Sequence, residues 1–229
     1  RAMDPDTWAQ LEADADRLAG GEPLAYVIGE WSFWDFDLTV TPDVLVPRPE
    51  TELLVEAALA RAQPGNRVLD LGTGSGAIAI ALTRSGSLDV LATDVSAAAL
   101  AVAQSNATAL KADVRFVQSN WFASVSDQFD LIVANPPYVA AEDPHLPALS
   151  HEPTAALVAG ADGLDDLQVI IAGAPAFLAP RGWLLVEHGY DQAAPVANLF
   201  ADAGFGGIEC LRDPGRQPRV TLGCLPGRN

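Results

Sequence analysis

Two short segments carry the residue types that could do chemistry, and each follows an apolar stretch typical of a buried strand. The first, Asp70–Gly76, reads Asp-Leu-Gly-Thr-Gly-Ser-Gly. The second, Asn135–Tyr138, reads Asn-Pro-Pro-Tyr and follows the apolar run Phe129–Ala134. Ligands of open α/β folds bind beyond the carboxyl ends of the strands. We therefore expect both segments at one edge of a sheet, next to the same ligand.

The glycine-rich segment is typical of a nucleotide-type cofactor site. Alternate glycines let the backbone turn tightly and approach a ligand, and the helix that follows offers free amide donors. The next strand ends at Asp94, whose carboxylate can accept hydrogen bonds from both ribose hydroxyls of an adenosine cofactor. The same letters fit Gly-x-Gly-x-x-Ala, ending at Ala77, so a nicotinamide or flavin dehydrogenase stays open. Two details favour a methyltransferase that uses S-adenosylmethionine: the third glycine comes one residue early, and Asp70 at the strand end could face a cationic or amino ligand.

The second segment suits reaction at a planar nitrogen. The nitrogen of an amide or aromatic amine delocalises its lone pair, as a peptide nitrogen does, and is a poor nucleophile. A catalyst must therefore hold it in line with an electrophilic methyl group. The side-chain oxygen of Asn135 and the carbonyl of Pro136 can each accept one N–H and offset the developing positive charge. Pro137 restricts the backbone, and Tyr138 can stack on the planar group.

The elements that must position these segments alternate between strand and helix, which predicts an α/β fold with a mostly parallel sheet covered by helices on both faces. The predicted strands of the sheet are Arg67–Leu71, Val90–Thr93, Val114–Gln118, Phe129–Ala134, Gly182–Glu187, Gly207–Arg212 and Arg219–Cys224. The predicted helices are Pro5–Ala19, one starting near Thr51, Ala77–Arg84, Ala97–Leu110, Asp165–Leu178 and Gln192–Ala203. A short turn joins the last two strands, so the last strand must be antiparallel. Alternation in Trp31–Phe36 and Leu38–Val40 predicts a β-hairpin, with a trailing strand at Val44–Val46.

Composition narrows the class of protein. A chain of 229 residues, 49% of them apolar, supports one full domain with a small appendage. Its 30 acidic and 13 basic residues give a formal net charge of -17, which disfavours direct nucleic-acid binding and suits a basic protein partner. The sequence has neither an apolar run long enough to span a membrane nor a signal-peptide pattern, so we expect a cytoplasmic protein.

Metal chemistry is not indicated by the sequence. The three histidines, His145, His151 and His188, are scattered among unrelated segments. Cys210 and Cys224 lack the spacing of metal ligands. We therefore expect no metal site.

Taken together, the motifs resemble the release-factor glutamine methyltransferase family (HemK type) over residues 17–223. The segments that carry the resemblance are Gly21–Tyr26, Pro47–Glu52, Asp70–Gly76, Asn135–Tyr138, Glu187–Gly189 and Arg219–Gly223. In that family, a seven-stranded class I methyltransferase domain (Rossmann-like) follows a small helical N-terminal domain. The resemblance implies S-adenosyl-L-methionine as the cofactor, and a peptide-chain release factor as the protein partner. The implied reaction methylates the side-chain amide nitrogen of the glutamine in the partner's Gly-Gly-Gln motif.

The resemblance also implies roles for individual residues. The cofactor site would be lined by Gly72, Thr73, Gly74, Ser75, Gly76, Asp94, Trp121 and Asn135. The glutamine would be held by Asn135, Pro136, Pro137 and Tyr138, with catalytic roles for Asn135, Pro136 and Tyr138. One departure is Asn120, where the family usually has Asp before Trp121.

The domain organisation implied by the resemblance has three parts. Residues 1–25 would be a remnant of the helical N-terminal domain, which is longer in the family, and residues 26–50 a β-hairpin linker. Residues 51–229 would form the methyltransferase domain. We expect the protein to be a monomer.

Three other functions stay open at this point. Enzymes that methylate amino groups of nucleic-acid bases also use Asn-Pro-Pro-aromatic motifs, but they need a basic cleft or a target-recognition domain, and neither is visible. Sister enzymes methylate a ribosomal-protein glutamine and usually have Pro-Arg-Ser-Pro where Pro47–Glu52 reads Pro-Arg-Pro-Glu-Thr-Glu. The third possibility is a dehydrogenase or a non-catalytic binding module on the same fold.

Overall fold

The computed structural model of the chain describes residues 4–227. Residues 1–3 and 228–229, which belong to the first and last of the three predicted parts, lie outside the described residues. Numbered in chain order, the α-helices are α1 Pro5–Ala19, α2 Leu24–Ile28, α3 Glu52–Leu59, α4 Ala77–Gly86, α5 Ala97–Leu110, α6 Asp165–Gly173 and α7 Ala193–Asp202. The strands are β1 Glu30–Phe33, β2 Phe36–Thr39, β3 Arg67–Leu71, β4 Asp89–Asp94, β5 Val114–Gln118, β6 Phe129–Ala134, β7 Leu178–Glu187, β8 Gly206–Arg212 and β9 Pro218–Cys224.

Seven of these strands form one sheet in the order β5-β4-β3-β6-β7-β9-β8. The five strands from β5 to β7 are parallel, whereas β9 is antiparallel to both of its neighbours. This confirms the predicted α/β class, with a mostly parallel sheet and an antiparallel last strand. The glycine loop follows β3 and Asn135 follows β6. Because β3 and β6 are neighbouring parallel strands, the two segments meet at one edge of the sheet.

Alternate side chains of the central strands enter cores on opposite faces of the sheet. Val68 and Leu131 lie in a cluster with the buried residues of α3 and α4. Leu69 and Ile132 lie in a second cluster with those of α6 and α7. Helices therefore cover both faces, as predicted, and the strands can be apolar at nearly every position because both sides are buried.

The structure corrects the predicted extent of the helix at Asp165–Leu178. Helix α6 ends at Gly173, a single 3-10 turn follows at 174–176, and Leu178 begins β7. Pro175 has no N–H with which to continue the helix. The apolar run continues without a break from helix into strand, so periodicity alone could not place this boundary.

The predicted trailing strand at Val44–Val46 is wrong. These residues are irregular, although Val44 and Val46 are buried. Side chains bind two of their backbone groups: Val44 O accepts the hydroxyl of Tyr26 at 2.6 Å, and Val46 N donates to Glu152 at 3.2 Å. Val44 N donates to the carbonyl of Thr41, so none of these bonds belongs to a strand ladder. Tyr26 itself lies in α2, a short helix that the sequence pattern did not predict.

The predicted hairpin is present as β1 and β2, but its turn lies at 34–35, so Phe36 begins the second strand instead of ending the first. The hairpin packs into the main core. Phe33 and Leu38 are almost completely buried in the same cluster as α3 and α4. Asn106 of α5 fastens the hairpin to the glycine loop, because its side chain bonds both backbone groups of Thr39 and donates to the carbonyl of Ser75 at 2.9 Å. The hairpin thereby fixes one side of the loop that follows β3.

Candidate active site

The glycine loop after β3 has backbone angles that residues other than glycine rarely adopt. Gly72, Gly74 and Gly76 all have positive φ angles, of 71°, 55° and 86°. A Cβ atom on Gly76 would lie 3.1 Å from Cδ1 of Ile80 and 3.2 Å from Cβ of Ala103, so the third glycine is required for close packing. A Cβ on Gly74 would meet nothing within 4 Å, so that position borders open space. The loop therefore presents its backbone directly to a ligand.

Asp94, at the end of β4, lies beside the glycine loop and is hydrogen-bonded to its backbone. Its Oδ2 accepts the N–H of Gly74 at 2.9 Å, and its Oδ1 accepts the N–H of Ser96 at 2.9 Å. Each carboxylate oxygen has two acceptor sites, so one remains available on each oxygen. The carboxylate thus orders the loop and can still bind two hydroxyl groups.

Asp70 lies beneath the loop, and does not line the cavity. Its side chain is completely buried, and Oδ2 accepts the hydroxyl of Thr73 at 2.7 Å. Burial raises the pKa of the Asp70 carboxyl to about 7, against the opposing effect of the bond from Thr73. The expectation that Asp70 could face a cationic ligand is therefore wrong, and its role is to support the loop from below.

A cavity of about 440 Å³ opens at this edge of the sheet and brings most of the predicted site residues together. The predicted residues that line it are Gly72, Thr73, Gly74, Ser75, Asp94, Trp121, Asn135, Pro136 and Pro137. Gly76 and Tyr138 do not line it: Gly76 is buried against α5, and Tyr138 packs against the core cluster of α6 and α7. The roles given to these residues remain predictions, but their juxtaposition is a feature of the fold.

Trp121 forms another part of the cavity wall. Its ring lies against Gly72, where a Cβ atom would come within 3.3 Å of Cζ3 of the indole. Its Nε1 donates to Oδ1 of Asp166 at 3.2 Å, which ties it to the first turn of α6. Its backbone is held at a φ of 46°, an unusual conformation for a bulky residue. Asn120 precedes it on the exposed rim of the cavity.

Two partly buried contacts hold the segment that follows β6. Asn135 donates from Nδ2 to the hydroxyl of Thr51 at 3.1 Å. Tyr138 donates its hydroxyl to Oε1 of Glu187 at 3.3 Å. Burial raises the pKa of the Glu187 carboxyl to about 7, while the nearby hydroxyls of Thr51 and Tyr138 lower it. Burial also raises the pKa of the Tyr138 phenol, so this residue stays protonated and acts as a donor.

Sequence reasoning missed two side chains that shape the site. Glu152 is buried and pairs with Arg48 while accepting the N–H of Val46, so it fixes the segment before α3 along the cavity. Gln192 donates from Nε2 to the carbonyls of Tyr138 and Gly163, and its Oε1 accepts the N–H of Gly189. The only signal for Glu152 was an acidic residue in a proline turn, which ordinarily indicates an exposed loop. Gln192 gave no signal.

Neither a metal centre nor a membrane helix is found in the part of the chain that the structure describes. Within residues 4–227, no group of three or more His, Cys, Asp or Glu side chains could hold a metal ion. None of the helices in this range is both long and apolar enough to cross a membrane.

Comparison with known proteins places this site in a family. Residues 49–189 match the model of the methyltransferase small domain, a range that holds the glycine loop, Asp94 and the Asn135–Tyr138 segment. The fold is that of a methyltransferase from Pyrococcus furiosus, with a TM-score of 0.68 at 17% identity over 94% of this chain and 99% of that one.

Relatives with much higher identity are named for a single reaction. The chain is 48% identical to the release factor glutamine methyltransferase of Xylella fastidiosa over 224 residues, which is 95% of this chain and 82% of the relative. It is 50% identical to that of Pseudomonas aeruginosa over 213 residues, covering 90% of this chain and 77% of the relative. Identity at this level over most of both chains means that the protein belongs to the family of release factor glutamine methyltransferases.

Proposed function

We propose that the protein transfers a methyl group from S-adenosylmethionine to the side-chain amide nitrogen of the glutamine in the Gly-Gly-Gln motif of a peptide-chain release factor. The observation that carries the proposal is that Asn135 and Pro136 line the same cavity as Asp94 and the glycine loop. The names of the relatives support the choice of a release factor over other proteins with an exposed glutamine.

The charges of the cavity support S-adenosylmethionine, which is cationic, over a dinucleotide. The charged residues that line it are Asp43, Asp94, Asp166 and Arg48. The guanidinium of Arg48 is already paired with Glu152. A pyrophosphate would therefore meet three carboxylates and one neutralised cation, whereas a sulfonium and an amino group would be attracted. The free acceptor sites of Asp94 fit two ribose hydroxyls, and the open space beside Gly74 fits an approaching ligand.

The work of the protein is to orient the glutamine. When bound, S-adenosylmethionine supplies an electrophilic methyl group. The side-chain oxygen of Asn135 and the carbonyl of Pro136 accept the two N–H groups of the glutamine amide, which aims the nitrogen lone pair and offsets the charge that develops there. Pro137 keeps this backbone rigid. The glutamine nitrogen would gain the methyl group as the bond from that group to the cofactor sulfur breaks, and it would then release one proton to water.

Tyr138 is held in place by two contacts. Its hydroxyl is bound to buried Glu187, and its ring packs against the core cluster of α6 and α7. We propose that it shapes the side from which the glutamine enters, with its orientation fixed by Glu187.

The proposal extends to the partner and to the organisation of the chain. A net charge of -17 suits a basic protein surface and opposes direct contact with nucleic acid. We propose that residues 51–229 form the methyltransferase domain, with residues 26–50 as its hairpin extension and residues 1–25 as part of a helical N-terminal region. We also propose that the protein acts as a monomer in the cytoplasm, where release factors work.

The decisive experiment is mass spectrometry of a folded release factor after incubation with the protein and S-adenosylmethionine. We expect one added methyl group on the Gly-Gly-Gln glutamine. Asn135→Ala should slow single-turnover methylation by roughly a hundredfold, because it removes one acceptor that aligns the nitrogen. Asn135→Asp keeps an acceptor of nearly the same shape and should recover part of that rate.

Three outcomes would contradict the proposal. Methyl groups found on DNA, RNA or a ribosomal protein, but not on the release factor, would assign another substrate. A near wild-type rate for Asn135→Ala would make Asn135 a structural residue. Tight binding of a nicotinamide dinucleotide without any response to S-adenosylmethionine would assign another reaction.

A further inference from the structure

The orientation of the Asn135 side chain is critical for the proposed function, because only one end of an amide can accept a hydrogen bond. The side-chain oxygen is an acceptor and the nitrogen is a donor. If the nitrogen faced the cavity, its NH2 group would face the NH2 group of the glutamine, and two donors cannot form a hydrogen bond with each other. The two orientations have nearly the same shape, so the surrounding hydrogen bonds must select one of them.

Thr51 makes the contact that selects the orientation. Its hydroxyl accepts from Nδ2 of Asn135 at 3.1 Å, and the residue is 3% exposed. A hydroxyl has one hydrogen to donate, and if that hydrogen pointed at Asn135, the amide would have to present its oxygen to Thr51. The observed orientation therefore requires that the Thr51 hydrogen be directed elsewhere.

The acceptor that we infer for this hydrogen is Glu187, whose pKa is lowered by the Thr51 hydroxyl. Ala134 pairs with Val186 across β6 and β7, so the next residues, Asn135 and Glu187, leave the two strands side by side. Glu187 is 1% exposed; its Oε1 accepts from Tyr138, and its Oε2 is buried and has no hydrogen-bond partner among the described residues. An ionised carboxylate can only accept, so it draws hydrogen from the hydroxyls that face it.

We propose, on the basis of the proposed function, that Glu187 acts through Thr51 as a positioning residue that keeps the oxygen of the Asn135 amide toward the cavity. The carboxylate attracts the hydroxyl hydrogen of Thr51, and the Thr51 oxygen is left to accept from Nδ2 of Asn135. The same carboxylate orients Tyr138 from its other oxygen. One buried acid thus sets the direction of two side chains in the Asn135–Tyr138 segment.

A double-mutant cycle tests the proposal. Glu187→Gln and Thr51→Val should each lower the single-turnover rate at saturating cofactor by about tenfold, the ratio that one hydrogen bond of ordinary net strength supports. Thr51→Ser keeps the hydroxyl and should retain most of the rate. In an Asn135→Asp background, the two side-chain oxygens are equivalent, so Glu187→Gln and Thr51→Val should each lower the rate by less than about twofold. The assays should be run at about pH 8.5, because Glu187 is ionised well above its pKa of about 7.

A matched control separates orientation from general damage. Thr221 is also a completely buried threonine, and its hydroxyl contacts Nε2 of His188 at 2.8 Å without touching Asn135. Thr221→Val should lower the unfolding midpoint in urea but leave the rate unchanged. Equal losses of rate from Glu187→Gln in the wild-type and Asn135→Asp backgrounds would overturn the proposal.

A nuclear magnetic resonance measurement keeps the inference distinct from the proposed function. In the wild type, the side-chain NH2 of Asn135 should show a nuclear Overhauser contact with the methyl group of Thr51. We expect that contact to be lost or strongly weakened in Glu187→Gln. Its persistence at full strength would overturn the positioning role whether or not the protein methylates a release factor. A wild-type protein that shows the contact but transfers no methyl group would contradict the proposed function alone.

Discussion

Replacing Asp94 with alanine is the most direct test of the cofactor site. The carboxylate accepts backbone N–H groups of Gly74 and Ser96, both at 2.9 Å, and keeps one acceptor site on each oxygen. Alanine removes both sites that face the cavity. It leaves the glycine loop without its side support, but Trp121 and the bonds made by Asn106 remain.

The size of the effect follows from the bonds that are lost. A hydrogen bond to a charged group contributes about 1.5–3 kcal/mol net when it is well formed. The Asp94 side chain is partly exposed, and water solvates it in the free protein, so we assign this range to the two ribose bonds together. The dissociation constant should rise by roughly 10- to 150-fold, since each 1.4 kcal/mol is a factor of ten.

Isothermal titration calorimetry of S-adenosylmethionine into both proteins measures this change. Asp94→Asn keeps one acceptor and should fall between the wild type and Asp94→Ala. Urea unfolding of each variant shows whether the fold is retained, and we expect a loss of about 1–2 kcal/mol from the two N–H groups that lose their partner. A change of less than about threefold in the dissociation constant, in a folded Asp94→Ala protein, would refute the assignment of Asp94 to the ribose.

Two further predictions concern the support of the glycine loop. Gly76→Ala should destabilise the protein in urea by about 2–4 kcal/mol, because a positive φ is combined with contacts at 3.1–3.3 Å to Ile80 and Ala103. Gly74→Ala, with the same sign of φ but nothing within 4 Å, should cost about 1–2 kcal/mol, and equal losses would contradict the packing role of Gly76. The folded pKa of Asp70 is about 7, raised from 3.8, so the protonated carboxyl stabilises the fold at low pH. That stabilisation decreases as the pH rises above 3.8 and is lost once the pH has risen through 7. Between pH 5 and pH 7.5, the free energy of unfolding of Asp70→Asn in urea should therefore increase by about 2 kcal/mol relative to that of the wild type. A difference between the two proteins that stays constant over this range would show that Asp70 ionises normally.

The sheet and the glycine loop could be predicted from sequence because their signals are local. β3, β5 and β6 have the predicted bounds, since each is a short run of mostly apolar residues that ends at or just before a polar residue or a glycine. Asn135 could be placed near the loop because parallel strands present their carboxyl ends at one edge of the sheet.

The contacts that aim the site residues could not be predicted, since they join distant parts of the chain. Glu152 binds Arg48 across 104 positions, and Asn135 binds Thr51 across 84. No periodicity in a single sequence encodes such pairs. Burial of Asp70 was also hidden, because a carboxylate at a strand end ordinarily indicates an exposed ligand contact. The loop above it shields this side chain from the cavity.

The three bonds of Asn106 have a consequence for the boundaries of any shortened protein. A fragment that begins at residue 51 would keep the whole glycine loop and the whole Asn135–Tyr138 segment. It would lose Thr39, which satisfies both ends of the Asn106 amide, and would uncover the apolar surface that Phe33 and Leu38 now cover. A buried amide deprived of two partners costs about 1–3 kcal/mol for each unsatisfied group. The hairpin therefore belongs to the same cooperative folding unit as the catalytic sheet, and proteolysis between them should unfold both together.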